Sequence, residues 1–473
     1  MNNSNRNYLF FAIAVFSFFF LPSLGQEGMF LDGTLYGCLA RNMAIGQGSF
    51  WMPYYTEAIL KSFNGHSPLM FGIESIFFQL FGNAFWIERL FSLVLMIFLL
   101  VGARLTWQNA LPNFKEKYWI PILFVLLMPV ISWSFKNNMI ENMVAVGAIF
   151  SVFFIQKALN QPKISFRYLF IAALFLLSAF LSKGLITLFP LATVAFYAVS
   201  HRDFSKRIIY SQFTFAGIFI GLIFLLFLIS PAAQENVLGS VSAHLQVSQS
   251  SNTSNNWLIL ERLILEILPL VGLTLLAFGI GYQQNKKGKS ILLKTADNQK
   301  KAWFWSLVGL SGSLPILMSS KQSGYYIVPA LPFLALGIAA FGVPIFSFFI
   351  KKINTKRAVQ NGIKIVSILI FSISIFLMFK NWNTYNRDQA MIEDIKLMSQ
   401  YIDSKEVSII NENRSNWQLI AYFQRYEYVS LFSKEEKTWL VLNKNTPVID
   451  GYEVVKLKAG EVLELFKLCR KVD

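Results

Sequence analysis

Residues 202–230 read RDFSKRIIYSQFTFAGIFIGLIFLLFLIS, where three basic residues precede a long run without a charged side chain. Such a run is long enough to cross the roughly 30 Å hydrocarbon core of a bilayer as a helix. Basic residues beside a span are typical of its cytoplasmic end. The stretch therefore predicts a membrane-spanning helix that begins on the cytoplasmic side.

Similar apolar runs recur along most of the chain. Of the 473 residues, 55% are hydrophobic and 14% are charged, a balance that soluble globular chains rarely show. The sequence predicts an all-α polytopic membrane protein, and a shorter apolar stretch at 66–82 predicts an interfacial or re-entrant helix. About eleven membrane-spanning helices are expected, at 8–24, 84–106, 118–134, 139–157, 167–182, 185–200, 209–230, 257–282, 302–319, 325–349 and 361–380.

The first run, 8–24, allows two interpretations. It could be a cleaved signal peptide, because a polar segment precedes it and small residues follow it. The rest of the chain is also rich in spans, so we expect an uncleaved first helix. On that interpretation the N-terminus is cytoplasmic.

Basic residues concentrate in every second loop between the predicted spans, which is the distribution that cytoplasmic loops show. This pattern accounts for the net charge of +16 without a nucleic-acid partner. The chain is then a multi-pass membrane protein, with residues 25–83 and everything after 380 outside the cytoplasm. The basic loops contain Arg104, Lys115 and Lys117; Lys157, Lys163 and Arg167; Arg202, Lys206 and Arg207; Lys286, Lys287, Lys289, Lys294, Lys300 and Lys301; and Lys351, Lys352, Lys356 and Arg357.

The chain changes character after residue 380. Charge rises there, and short β-branched and aromatic runs alternate with helical patterns. We expect a transmembrane catalytic domain over 1–380 and a small α/β periplasmic domain over 381–473. Its predicted strands lie at 407–410 and 439–442, and its predicted helices at 388–403 and 415–424.

Asp32 lies soon after the first span, in the first outer loop at 25–83. A carboxylate in such a place is partly desolvated and could act as a general base. The alternative is an ordinary helix-capping aspartate.

A second polar group, Asn137, Asn138 and Glu141, enters an apolar span from the outer side. Polar side chains are costly against lipid, so they are expected to line a cavity. The alternative is an ordinary polar helix start. Lys183 and Lys321 also lie at outer helix ends, against the charge rule. A phosphate ligand would explain them, and snorkelling toward outer head groups is the alternative.

These candidates come from separate segments, yet the loop charges put all of them on one side of the membrane. A chance scatter would leave some on the other side. The sequence therefore predicts one outer cavity that gathers Asp32, Glu141, Lys183, Lys321, His66, Tyr325 and Tyr326.

The first outer loop resembles that of the GT-C glycosyltransferases. The resemblance is to the branch with the protein O-mannosyltransferases and the bacterial aminoarabinose transferases of lipid A, and it covers roughly residues 8–345. Its residues are Asp32, Tyr36, Ala40-Arg41-Asn42-Met43, Gly46, Trp51, Pro53, His66-Ser67-Pro68-Leu69, Phe81-Gly82 and Arg89, with Lys183-Gly184, Ser320-Lys321, Tyr326-Ile327-Val328-Pro329 and Leu331-Pro332 further on.

The resemblance implies an inverting enzyme whose sugar donor is linked to a polyprenyl phosphate. It implies that Asp32 activates the acceptor and that Glu141 takes the place of a second acidic residue. The donor phosphate would be bound by His66, Lys183, Lys321 and Arg41, and the substrates would contact Tyr36, Asn137, Asn138, Tyr325 and Tyr326.

Two positions depart from the pattern of the relatives. Gly33 stands where many of them have glutamate, and His66 stands where the aminoarabinose transferases have lysine. The identity of the donor sugar is therefore left open. So is the acceptor, which could be a lipid A-like glycolipid, another envelope glycan or a protein.

The sequence contains no G-x-x-x-x-G-K-[ST] phosphate loop, as expected of an enzyme without a nucleotide site. A divalent metal remains a possibility, although few carboxylates cluster. Two other functions remain as alternatives. A flippase for lipid-linked saccharides would have broken helices in paired halves, and a non-catalytic scaffold would lack a base.

Overall fold

The computed structural model describes residues 3–250, 257–284, 296–319, 321–354 and 356–472. Helices dominate as far as Lys380. They are α1 (Asn3–Phe20), α2 (Leu31–Ala44), α3 (Leu69–Phe81), α4 (Ile87–Ala110), α5 (Trp119–Leu126), α6 (Pro129–Lys136), α7 (Glu141–Leu159), α8 (Phe166–Lys183), α9 (Thr193–His201), α10 (Lys206–Ile229), α11 (Pro231–Ser250), α12 (Leu258–Gln284), α13 (Ala296–Ser313), α14 (Leu331–Asn354) and α15 (Arg357–Lys380).

The predicted polytopic fold class is confirmed. Within the described ranges, eight helices are long and apolar enough to cross a membrane, or nine if the bent pair α5–α6 forms one span. Two of the eleven predicted spans fall on other kinds of helix. The span at 185–200 coincides with a shorter apolar helix, Phe189–His201, and the span at 302–319 overlaps α13, which starts with the charged sequence ADNQKK.

The predicted span 118–134 is not one straight helix. It breaks between α5 and α6, whose axes differ by 72°. Pro129 opens α6, and Met128 before it is extended, with φ −83° and ψ 111°. The residue before a proline is disfavoured in helical geometry, which explains the break. Glu266 of α12 accepts hydrogen bonds from the Val130 amide at 3.1 and 3.2 Å, so it caps the new helix start.

Elements after Lys380 form a small α/β region. It contains α16 (Gln389–Ser399), α17 (Trp417–Tyr422), a mixed five-stranded sheet, and the second strand of a two-stranded pair whose first strand precedes α2. The pair is formed by β1 (Gln26–Glu27) and β2 (Thr384–Tyr385). The sheet is formed by β3 (Glu406–Ile409), β4 (Ser430–Phe432), β5 (Trp439–Asn443), β6 (Tyr452–Val454) and β7 (Phe466–Lys471). Its strand order is β4-β3-β5-β7-β6. Strand β3 runs parallel to β4 and β5, and β7 runs antiparallel to β5 and β6.

The C-terminal region packs directly on the first loop. Strand β1, just after α1, pairs in parallel with β2, just after α15. This pairing puts the first loop and the C-terminal sheet on the same side of the helices. Further along, Tyr422 donates to the Met29 carbonyl at 3.1 Å, three residues before Asp32. The C-terminal region therefore contacts the backbone that leads into α2.

A buried arginine anchors this contact. Arg425 forms an ion pair with Glu88 of α4, and both side chains are almost fully buried. Its guanidinium also donates to Asn83 Oδ1 at 2.6 Å and to the Ala84 carbonyl at 3.0 Å. Every polar group of this anchor faces protein, so it fixes the C-terminal region to the membrane helices.

Candidate active site

Asp32 lies in the first turn of α2, which is pressed closely against the turn between α6 and α7. The Phe30 amide donates to Asn137 Oδ1 at 2.9 Å. A Cβ atom at Gly33 would lie only 1.8 Å from the Asn137 carbonyl oxygen. Glycine is thus required at position 33, which gives a physical reason for the departure from relatives with glutamate there.

An aromatic wall stands beside Asp32. The hydroxyl of Tyr325 donates to Asp32 Oδ2 at 3.1 Å. The Tyr325 ring stacks on Trp133 with a centroid separation of 5.5 Å, and Phe30 contacts both rings edge-on at 5.2 and 5.9 Å. Burial, followed by the charge of Asp32, raises the pKa of Tyr325. The tyrosine therefore remains a neutral donor that orients one oxygen of the carboxylate.

Lys183 and Glu141 form a buried ion pair. Glu141 opens α7, Lys183 ends α8, and their side chains are 1% and 7% exposed. The second carboxylate oxygen of Glu141 has no hydrogen-bond partner within the described structure. The ammonium group of Lys183 also lies over the rings of Tyr326, at 4.2 Å, and Tyr325, at 5.9 Å. The two tyrosines thus link the lysine to Asp32.

A cavity of about 660 Å³ opens beside Lys183. Its cationic and polar side chains are Lys183, Lys321, Tyr326, Ser311 and Ser319, and most of the remaining lining is apolar. The apolar lining includes Leu185, Ile186, Leu188, Phe189, Ile316 and Met318. We call this space the lysine cavity. Its lining, which combines two lysines with many apolar side chains, suits a molecule that has an anionic group and an apolar portion.

Tyr36 and His66 complete the cluster. Tyr36 lies one helical turn after Asp32, on the same face of α2. Burial, then the charges of Asp32 and Glu141, raise the pKa of Tyr36 well above its usual value. The His66 ring meets the Tyr36 ring edge-on with 5.8 Å between centroids. His66 therefore lies beside the tyrosine that follows Asp32 on α2.

The structure thus brings together seven of the predicted residues: Asp32, Tyr36, His66, Glu141, Lys183, Tyr325 and Tyr326. Lys321 joins them across the lysine cavity. This is the convergence on one side of the helices that the loop charges predict.

Arg41 lies elsewhere, so the predicted phosphate contact is corrected. It is nine residues after Asp32, or about 14 Å along the helix at 1.5 Å per residue. Its buried guanidinium donates to the carbonyls of Gln424 and Arg425 at 2.8 and 3.2 Å. It also lies over the Tyr428 ring at 3.8 Å. These contacts assign Arg41 to the packing of the C-terminal region.

Neither of the two asparagines lines the lysine cavity, although Asn137 lines a separate one. Lys136 ends α6 and Glu141 begins α7, so 137–140 is a turn rather than helix, and Asn138 has a positive φ of 51°. Asn138 donates to the buried carboxylate of Glu74 at 2.7 Å, away from the lysine cavity. Asn137 supports the backbone of Phe30. Both shape the wall behind Asp32.

The prediction omits several residues near the site. Glu74 and Glu88 are fully buried carboxylates in α3 and α4. Because an acidic residue is unusual within an apolar stretch, the sequence alone could have identified both as candidates. Phe30 and Trp133 give no such signal, because aromatic residues are abundant throughout the chain.

Among the residues that the structure describes, no group of three His, Cys, Asp or Glu side chains could hold a metal ion.

The fold and the cluster define a polytopic membrane protein of the GT-C fold class. A family model for dolichyl-phosphate-mannose-protein mannosyltransferase matches residues 65–230. No protein sequence of curated function matches the chain. The family match covers the part of the chain that contains His66, Glu141 and Lys183.

Solved structures extend the comparison over the whole chain. The fold is similar to that of ArnT from Cupriavidus metallidurans bound to undecaprenyl phosphate, with a TM-score of 0.64 and 13% identity over 98% of this chain and 97% of that one. It is also similar to an oligosaccharyltransferase from Archaeoglobus fulgidus in the apo form, with a TM-score of 0.50 and 12% identity over 90% of this chain and 64% of that one. The GT-C-like fold that the sequence predicts is confirmed. Together, these matches show that the chain shares its polytopic fold with these structures.

Proposed function

We propose that this chain transfers a sugar from a polyprenyl-phosphate-linked donor to an acceptor at the outer face of a bacterial inner membrane. The observation that carries this proposal is the position of the lysine cavity. A largely apolar pocket that Lys183 lines lies beside a tyrosine pair that reaches Asp32. The family match and the GT-C fold support the same class of reaction.

The donor's lipid phosphate would lie at Lys183 and Lys321, and its apolar chain would run along the cavity wall. An ammonium group close to a phosphate stabilises the charge that develops as the sugar leaves. Leu185 and Met318, which line this cavity, are exposed apolar residues, as a chain entering from the bilayer requires. His66, one contact beyond Tyr36, would act from the edge of the site.

Asp32 would take the proton from the acceptor hydroxyl. The acceptor oxygen then forms a bond to the anomeric carbon on the face opposite the phosphate, and the phosphate leaves with the electron pair of the broken bond. This single displacement inverts the configuration. Tyr325 orients the carboxylate for the transfer through its 3.1 Å hydrogen bond.

Glu141 would have a supporting role. Its ion pair with Lys183 holds the ammonium group at the mouth of the cavity before the donor arrives. The unpartnered oxygen of Glu141 leaves room for a second contact, either with the acceptor or with the sugar. On this view Asp32 is the base, while Glu141 positions the lysine.

The membrane part and the C-terminal part of the chain would have different roles. Residues 1–380 would perform the transfer, and 381–473 would form an outer domain that holds the start of α2 in place. The pairing of β1 with β2 and the contact of Tyr422 with Met29 support this role. Because the first loop and the C-terminal sheet share one side, the site and the domain would both face the periplasm.

The first test is the Asp32→Asn variant, which keeps the shape of the side chain but cannot accept a proton. The wild-type protein and the variant are each purified in detergent and supplied with a radiolabelled polyprenyl-phosphate sugar and an envelope glycolipid extract. We expect the transfer rate of Asp32→Asn to be lower than that of the wild type by a factor of about 10² to 10⁴, the usual contribution of a general base. The measurement is radioactivity in the acceptor fraction, with product mass confirmed by mass spectrometry.

Thr34→Ala is the matched control, since Thr34 lies in the same turn of α2 and bonds only to the Phe30 carbonyl, at 3.5 Å. It should transfer sugar at nearly the wild-type rate. Full activity of a folded Asp32→Asn protein would contradict the mechanism. Movement of an intact donor between leaflets, without any new glycosidic bond, would instead favour the flippase alternative.

A further inference from the structure

A buried carboxyl group that the proposed mechanism does not use lies in α3. Glu74 is fully buried, and its Oε1 atom accepts a hydrogen bond from Asn138 Nδ2 at 2.7 Å. Asn138 is also fully buried, in the turn between α6 and α7. A charged group in such a place is costly unless it is paired or neutralised by a proton. The surroundings of Glu74 therefore decide its protonation state.

Two oxygen atoms at this contact lack a donor. Glu74 Oε2 and Asn138 Oδ1 are both buried, and neither has a hydrogen-bond partner within the described structure. The amide nitrogen and oxygen of Asn138 belong to one planar group, as do the two oxygens of Glu74. A proton on Glu74 Oε2, donated to Asn138 Oδ1, would give both oxygens a partner. The two side chains would then form a cyclic acid–amide pair with two hydrogen bonds.

The charged and titratable groups around Glu74 favour its neutral form. Glu88 of α4 is an electrostatic neighbour that repels a second negative charge. Arg425 is the cation of the same region, but it already pairs with Glu88. From α2, burial raises the pKa of the Cys38 thiol to about 12, so the thiol is uncharged. None of these groups supplies Glu74 with a counter-charge of its own.

The remaining neighbour of α3 is α8, whose outer cation, Lys183, pairs with Glu141. Burial, followed by the charge of Glu88, raises the pKa of Glu74 well above its usual value. A water molecule that donated to both orphan oxygens would leave Glu74 ionised beside Glu88, which burial opposes. A proton on Glu74 satisfies the same oxygens without a buried charge.

The turn that contains Asn138 positions both acidic residues of the site. Asn138 has a φ of 51°, a conformation that asparagine tolerates better than most residues. The preceding carbonyl, of Asn137, lies against Gly33, next to Asp32 in α2. Glu141 begins α7 three residues after Asn138. A shift of this turn would therefore displace the start of α2 and the start of α7 together.

We propose that Glu74 is a neutral carboxylic acid at neutral pH and that it acts as a positioning residue for sugar transfer. Its proton joins Glu74 Oε2 to Asn138 Oδ1, and the acid–amide pair holds the turn at 137–140 in place. The proton stays on Glu74 throughout the reaction. The positioning role rests on the transferase function proposed above, whereas the protonation state does not.

Infrared spectroscopy of the purified full-length protein tests the protonation state. The difference between the spectra of the wild type and Glu74→Gln isolates the C=O stretch of the side chain at position 74. At neutral pH we expect the band of a protonated carboxyl group, which lies at higher frequency than the bands of a carboxylate. A carboxylate band in its place would overturn the proposal, because the orphan oxygens would then have another donor.

The pH dependence of stability is a second test. Because the pKa of Glu74 is raised in the folded protein, the wild type should lose stability as the pH rises. The loss begins near the pKa of glutamate in the unfolded chain, about 4.3, and continues until the pKa of the folded state is passed. Glutamine can donate to Asn138 Oδ1 without a titratable proton. The unfolding temperature of the wild type should therefore fall relative to that of Glu74→Gln, and a constant difference would contradict the neutral acid.

Sugar transfer tests the positioning role. Glu74→Gln keeps both hydrogen bonds and should transfer sugar at close to the wild-type rate at neutral pH. Glu74→Met has a similar length but leaves the Asn138 amide without partners. We expect its kcat to fall by about ten- to hundredfold, since a displacement of about 1 Å can cost about 10² in rate, while the KM for the donor changes less. Ser75→Ala is the matched control, because Ser75 donates within α3, to the Gly72 carbonyl at 2.8 Å.

An exchange of the two partners covers the case in which Glu74→Met fails to fold. Asn138→Asp alone brings two carboxyl groups together and should lower the transfer rate. The double variant E74Q/N138D rebuilds the acid–amide pair with the acid on the other side, and it should exceed N138D by about tenfold or more.

Two results would remove Glu74 from the positioning role. One is an equal loss of transfer in Glu74→Gln and Glu74→Met, which would show that the charge of Glu74 is needed. The other is equal transfer by N138D and E74Q/N138D. A wild-type protein without any transfer activity would give a different result. It would refute the proposed function, and the infrared bands would still decide the protonation state of Glu74.

Discussion

The ion pairs Glu141–Lys183 and Glu88–Arg425 are both almost fully buried, yet their surroundings differ. Lys183 lines a cavity of about 660 Å³, and Glu141 keeps one oxygen without a partner. Arg425 donates to the Glu88 carboxylate, to Asn83 Oδ1 and to the Ala84 carbonyl. The first pair can accept a ligand, whereas the second is complete without one.

The difference teaches that a buried charge alone does not identify a site. Buried pairs of either kind cost desolvation energy and contribute little net stability. What separates them is spare hydrogen-bonding capacity next to open space. Arg41 illustrates the same point. It lies within the sequence motif of the first outer loop, but its guanidinium donates hydrogen bonds to carbonyls of the C-terminal region.

The largest expected effect is on stability, in Arg425→Ala. Removing the guanidinium leaves Glu88 buried without a counter-charge, which costs about 3–5 kcal/mol. We expect a large fall in the free energy of unfolding, measured by thermal or denaturant unfolding in detergent. The contact between the C-terminal region and α4 should open, so proteolysis within 381–473 should become faster.

Lys437→Ala is the control for Arg425→Ala, because Lys437 pairs with Glu406 and Glu435 at the exposed surface of the same region. Its unfolding temperature should stay close to that of the wild type. If Arg425→Ala were as stable as the control, the Glu88–Arg425 pair would not be a structural anchor. The proposed difference between the two buried ion pairs would then be wrong.

The next effect is on catalysis, in the double variant E141Q/K183Q. Glutamine keeps the shape of Glu141 and is somewhat shorter than Lys183, and both positions lose their charge, so stability should change by less than about 1.5 kcal/mol, as for other replacements of a buried pair by neutral groups of similar volume. Sugar transfer should fall by about 10² to 10³, the cost of removing one electrostatic contact to a leaving group. The measurements are unfolding and initial transfer rate on the same preparation.

The single variant Lys183→Gln sharpens this test. It leaves the Glu141 carboxylate buried and unpaired, so both stability and transfer should fall. A double variant that transfers sugar at the wild-type rate would remove Lys183 from the mechanism. It would leave the two buried ion pairs equivalent as structural features.

Much of the fold could be predicted from the sequence, because hydrophobic runs and loop charges report directly on the membrane. The break at Met128–Pro129 has a local cause as well, although a window of apolar residues hides it. The turn at 137–140 is different. Asn138 takes a positive φ and bonds to Glu74, a contact 64 residues away in the sequence, which no local pattern can reveal.

The candidate site was partly predictable for a related reason. Lys183 and Lys321 stand out because they violate the charge rule for outer loops, and Asp32 because it follows the first span so closely. The partners of these residues depend on tertiary contacts. The bond from Tyr325 to Asp32 spans 293 residues, and the contacts of Arg41 with the C-terminal region span more than 380.

The smallest expected effect is in Lys321→Ala. Lys321 lines the same cavity as Lys183 but is exposed, so water screens its attraction for a phosphate. Exposed ion pairs are worth about 0.2–1 kcal/mol, which predicts a rise in the KM for the donor of about two- to fivefold, with kcat nearly unchanged. The rise in KM should shrink as salt is added, whereas the loss of transfer activity in E141Q/K183Q should persist.

Lys380→Ala, which removes an exposed cation outside the cavity lining, controls for the general surface charge. If Lys321→Ala lost as much activity as E141Q/K183Q at high salt, then burial would not be what distinguishes the two lysines. The phosphate would then have to lie nearer to Lys321 than to the buried pair.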